Sequence, residues 1–160
     1  MKRKSQTATE YIIILAVVII ISLIVVTTLG GIPSLGTSNK IRVSAAYWQN
    51  ADVAIISYSM SLSGTHTLII QNRLRNAISI ESINLSLSGQ ADPVAFYSGP
   101  PINLGPGQRS TITNNEAFAI CTGSGDIFTS NVRIKYTATE IGSTYIFTGD
   151  GNRLEGRCAE

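Results

Sequence analysis

The chain has 160 residues, room for one ordinary domain plus an additional element but not for two full domains. Charged residues make up 14% against 44% hydrophobic, whereas a free-standing soluble domain carries about a quarter charged. The net charge of +2 rests on Lys2, Arg3 and Lys4; without them nine basic residues face ten acidic ones, which excludes the basic surface of a nucleic-acid-binding protein.

The front of the chain holds the deficit of charge. From Tyr11 to Asn39 there is no Asp, Glu, Lys, Arg or His, and from Tyr11 to Val26 only Ser22 and the Tyr11 hydroxyl interrupt an apolar run. A helix from Gln6 to Gly30 is about 37 Å long at 1.5 Å per residue, enough for a hydrocarbon core of about 30 Å. Being apolar all round, it belongs in lipid or among other apolar helices. Gly30-Gly31 and Pro33 supply a stop and a hinge. The three N-terminal cations orient the start of the chain to the cytoplasm and the rest outside. A conventional secretory signal fits poorly, since Thr27-Thr28-Leu29-Gly30-Gly31 lacks an A-x-A-like site. A plain signal anchor accounts for the hydropathy but gives no reason for Glu10, a carboxylate directly before the apolar run.

Lys4-Ser5-Gln6-Thr7-Ala8-Thr9-Glu10-Tyr11 and the run that follows resemble the class III signal peptide of archaeal type IV pilins. The resemblance covers about the first 30 residues. It implies cleavage by a membrane prepilin peptidase between Ser5 and Gln6, with the helix retained; Ser5 stands where the family more often has Gly. Gln6, Glu10 and Tyr11 are then the expected assembly residues. The Gln6 ammonium and the Glu10 carboxylate, one helical turn apart, can pair across subunits and fix register more than stability. The implied partners are identical subunits in a helical filament, the peptidase and assembly machinery, and the membrane before assembly.

From Ile41 onward the periodicity becomes alternating. Ala54, Ile56, Tyr58, Met60 and Leu62 share one phase, with Ser57, Ser59 and Ser61 on the other, which predicts a half-buried strand. Ser63-Gly64-Thr65 predicts a turn and Leu68–Ile70 a second strand. Ile78 and Ile80 give way to Ile83, Leu85 and Leu87, a phase slip at Glu81-Ser82 that predicts a β-bulge. Further strands are expected at Val94–Tyr97, Arg109–Thr113, Ala117–Cys121, Val132–Ala138 and Thr144–Thr148. The segment Ser34–Gln49 reads either as continued helix or as a lead into the first strand.

The whole predicts an α+β fold: a long N-terminal apolar helix, then an antiparallel immunoglobulin-like β-sandwich. Its parts are a leader over 1–5, a helix over 6–33, a connector over 34–50 and a head over 51–160. Two cysteines, Cys121 and Cys158, in an exported head point to a disulfide rather than a four-ligand metal site. Asn84-Leu85-Ser86 is the only N-x-S/T sequon, and with Leu85 inward Asn84 points outward, where a glycan fits.

Chemistry is sparse. His66, beside the predicted turn, has no ligand-spaced neighbours. Asp150-Gly151-Asn152 lacks the remaining offsets of a calcium loop and reads as a tight turn. Gly123-Ser124-Gly125-Asp126 has no strand-to-helix setting for a phosphate. No catalytic, metal or cofactor residues are expected. The sequence therefore predicts a non-enzymatic surface-filament subunit with a role in adhesion. A membrane-anchored extracellular binding protein or a minor pilin stands as the alternative.

Overall fold

The computed structural model describes residues 8–28, 31–87, 93–115 and 120–160. It divides into two units, Met1–Asn39 and Lys40–Glu160. The first contains helix α1 (Ala8–Thr28) and the beginning of α2 (Gly31–Asn50). Pro33 lies within the first turn of α2, where no N–H is needed for an intrahelical bond.

In the second unit the last turns of α2 pack on the strands. Ile41, Ser44, Ala45 and Trp48, at helical spacing, turn inward, and Tyr47 packs partly buried beside them. The Ser44 hydroxyl donates to the Arg153 carbonyl at 2.8 Å and accepts from the Glu155 N–H at 2.9 Å. Trp48 is fully buried and meets Phe147 edge-on, ring centroids 5.8 Å apart. Gly149 lies under that indole: a Cβ there would stand 2.5 Å from the ring, and its φ of +72° disfavours other residues as well.

Among the described residues nine strands follow: β1 (Val53–Ser61), β2 (His66–Asn72), β3 (Ile78–Leu87), β4 (Val94–Tyr97), β5 (Ile102–Leu104), β6 (Arg109–Asn114), β7 (Ile127–Ala138), β8 (Ser143–Phe147) and β9 (Leu154–Ala159). They form one sheet in the order β4-β3-β7-β9-β1-β2-β6, with β5 also on β3 and β8 also on β7. The end strand β6 comes back into contact with β4 and β5, so the sheet curls nearly into a barrel. Its interior is filled by Ile55, Met60, Leu68, Ile70, Ile80, Phe128 and Ile134, among others.

Three register shifts occur among the described strands, one of them between Ile83 and Asn84 of β3 against β4. The phase slip expected at Glu81-Ser82 is present: the register of β3 against β7 shifts between Ile80 and Ser82. A second shift, between Ile55 and Ser57 against β2, was not expected. It puts Val53 and Ile55 inward ahead of Met60, while Leu62 is exposed because it lies in the turn beyond the end of β1.

The closing strand is β9. It pairs antiparallel with β7 and parallel with β1, Met60 opposite Cys158 and Ser61 opposite Ala159. Leu154, Gly156 and Cys158 face inward. Gly156 is required by close approach: a Cβ would stand 2.6 Å from Tyr58 and 2.7 Å from Phe128, whose rings meet edge-on above it. Cys158 is bonded to Cys121, a separation of 37 residues.

The expected fold is corrected in two respects. In place of one long helix over 6–33 there are two, of 21 and 20 residues, and among the described residues no helix is long and apolar enough to cross a membrane. α2 is the more polar of the two and carries Lys40 and Arg42. Nor is the head an antiparallel immunoglobulin-like sandwich: it is a single, nearly closed sheet with a parallel pair at β1 and β9. β5 and β9 were not expected at all. Of the strand expected over Ala117–Cys121, residues 117–119 lie outside the described residues, while Ile120 and Cys121 belong to no strand.

Two stability measurements check this account. Gly156→Ala should lower the unfolding free energy by about 2–3 kcal/mol through overpacking against Tyr58 and Phe128. The double variant Cys121→Ala/Cys158→Ala should lose about 4 kcal/mol of loop-closure entropy. Urea unfolding of each against the parent chain reads both.

Candidate functional site

The feature that most needs a partner is α1. Its thirteen large hydrophobic residues from Tyr11 to Val25 are 46–69% exposed, on every side of the helix. Burying one Ile, Leu or Val contributes about 1.5–3 kcal/mol, so this surface carries a strong drive to be covered. Its hydroxyl at Ser22 donates to the Val18 carbonyl at 2.7 Å, one turn back, and leaves no unmet donor when the helix packs. Glu10 lies in the first turn, where a carboxylate meets the positive end of the helix dipole. Of the expected assembly residues, Glu10 and the 69%-exposed Tyr11 are therefore together at the start of the apolar surface. Ser5 and Gln6, the expected cleavage pair, lie outside the described residues.

On the head, Asn84 is half-buried on β3, between Ala95 of β4 and Arg133 of β7. With Ser86, Asn131 and Arg133 it lines a cleft of about 350 Å³. The sequon is thus on the outward row, in the middle of the sheet rather than at a tip. His66 is next to the turn, as expected, but does not face solvent. It is buried at the start of β2, and its Nδ1 accepts from the Ser61 N–H at 3.3 Å.

The Gly-rich stretches are turns. Gly123–Asp126 closes through the Asp126 N–H to the Gly123 carbonyl, with the Thr122 hydroxyl on the Asp126 carboxylate at 2.7 Å. Gly149–Gly151 is a short 3-10 turn with Asp150 at a φ of +47°. The Asp150 carboxylate accepts from the Tyr47 hydroxyl at 3.2 Å, which together with burial raises the phenol's pKa. Among the described residues no group of three or more His, Cys, Asp or Glu is placed to hold a metal ion.

Sequence reasoning missed three elements. Asn72 is fully buried, and its side-chain amide donates to the carbonyls of Asn76 and Leu104 at 2.9 and 3.0 Å while its carbonyl accepts from the Leu74 N–H at 2.9 Å. The signal was available: an Asn in phase with Leu68 and Ile70 cannot be inward without such partners. A second cleft, of about 410 Å³, opens between the loop after Asn72 and the β7–β8 hairpin. It is lined by Tyr136 and Tyr145, stacked with centroids 5.6 Å apart. The third is the surface network at the β3 bulge, where Glu81 accepts from Lys135 at 2.7 Å and from the Thr137 hydroxyl at 2.5 Å.

Lys135 and Thr137, by hydrogen bonding, hold the Glu81 carboxyl below its ordinary pKa of 4.5. A carboxylate lowered in this way supports the fold above about pH 4.5, and that support is lost as the pH falls through the folded value. Carbon-detected NMR titration should find Glu81 titrating below 4.5, and Lys135→Met should move it upward. Glu81→Gln should remove its share of the acid sensitivity of unfolding. No known family model matches this chain, and no curated protein matches it.

Proposed function

We propose that this protein is a structural subunit of a type IV pilin-like surface filament, polymerised through α1. The observation that carries the reading is the exposure of an apolar helix on all sides in a chain whose head already has a complete core of its own. Such a helix is stable when other copies of it cover it, and thirteen large side chains supply ample area. Identical subunits supply matching surfaces, and head-to-tail contacts that do not close on themselves make helical polymers.

Glu10 gives that packing a register. At the edge of the apolar run its carboxylate is costly to bury alone, so neighbouring helices settle where it meets a cation. The ammonium of Gln6, created if a prepilin peptidase cuts after Ser5, is one turn away and provides it. The resemblance of residues 4–11 to class III signal peptides supports this step. The β head then faces outward, and adhesion is the role such an exposed head would serve.

N-terminal sequencing and intact mass of the protein sheared from its native cells should give a chain beginning at Gln6, recovered in polymers that pellet and appear as filaments by electron microscopy. A chain that retains Met1 or Lys2, or begins near Pro33, overturns the reading. Glu10→Ala should be processed normally yet yield less than about a tenth of the filament, the loss expected for a missing buried charge partner. Unchanged filament yield removes Glu10 from assembly.

A further inference from the structure

The second cleft of the head has the makings of a ligand site that polymerisation does not explain. Its floor is apolar, from Ile78 and Ala138, and one wall is the stacked Tyr136–Tyr145 pair. The opposite rim carries Arg75 and Asn76. Among the described lining residues Arg75 is the only charged one, and none is a carboxylate. Among the described residues Arg75 is in no ion pair, and its side chain is exposed.

The rim is held in place from both ends. The buried Asn72 amide fixes Leu74 and Asn76 through the bonds described above. At the far end Thr139 donates to the Ala77 carbonyl from its N–H at 3.0 Å and its hydroxyl at 2.9 Å. Thr139 also begins the turn that carries Ile141, 62% exposed, to the mouth of the cleft. Burial first, then the nearby Asp52 charge, raises the pKa of the Tyr136 phenol, so its hydroxyl remains a hydrogen-bond donor at neutral pH.

We propose that this cleft binds an acidic saccharide, with the Tyr136–Tyr145 pair against the apolar face of a sugar ring and Arg75 on its carboxylate. The volume, about 410 Å³, lies in the range of small-ligand pockets and admits one or two rings. Aromatic side chains offer a flat apolar surface with polar tips, which suits the C–H face of a pyranose. A guanidinium matches a carboxylate in two parallel hydrogen bonds. Asn76 supplies donors and an acceptor for ring hydroxyls. A simple inorganic anion would use Arg75 and leave the tyrosines idle; a neutral sugar would do the reverse.

The site lies wholly within the Lys40–Glu160 unit, so its test is independent of filament formation. The full chain in detergent is titrated with a glucuronic acid-containing disaccharide and with its neutral glucose counterpart, read by saturation-transfer NMR. The acidic sugar should bind at least about tenfold more tightly, the margin a charge-assisted hydrogen bond provides. Arg75→Gln should abolish that preference while the weak binding of the neutral sugar persists. Tyr145→Ala should weaken both sugars, and Tyr145→Phe, which keeps the stacked ring, should weaken neither by more than about twofold. Equal affinity for the two sugars, an unaffected Arg75→Gln, or no transfer to either sugar overturns the proposal.

Discussion

The head depends on the insertion of its last strand. β9 separates β1 from β7 and is hydrogen-bonded to both, so it joins the two halves of the sheet into one surface. That position needs a residue without a side chain at 156, because Tyr58 and Phe128 approach each other over the strand. Once β9 is in place, the Cys121–Cys158 bond restricts its departure, and the backbone of Cys158 is further tied to Gly125 and Asp126. β9 thus occupies an internal position of the sheet, paired on one side with the first strand of the head. Contacts so distant in sequence carry a large loop-closure cost.

A second constraint is the separation of two kinds of apolar surface. Within the head, apolar side chains are matched to one another and to the Trp48 indole of α2. In α1 they are exposed around the whole helix. The first kind is covered by the fold of the head; the second is not covered by its own helix. Ser22 illustrates the difference, since its hydroxyl is bonded to its own helix and makes no demand on a neighbour.

The polar interior is small and strictly partnered where it shapes the surface. Asn72 occupies an inward position of β2 and converts its hydrogen-bonding capacity into a rigid loop from Leu74 to Asn76. The neighbouring hairpin is fixed by Thr139 to the same loop. A buried amide therefore positions an exposed guanidinium, and the cleft beside it is built from the core outward.

The alternation of the sequence was enough to identify β1, β2, β3, β4, β6, β7 and β8 and the bulge at Glu81, because period-two burial is a local property of a pleated strand. The same reading marked α1 as apolar all round and paired the two cysteines. It erred where a residue's role depends on distant neighbours. Arg153–Glu160 carries too few apolar side chains to read as a strand, since one of its inward positions must be glycine for the sake of Tyr58 and Phe128. The bulge between Ile55 and Ser57 is set by pairing with β2, and His66 is buried by the curl of the sheet. Composition and period, being local, decided which segments extend and which are apolar. Closure, the parallel pair and the clefts were decided only by which segments meet in space.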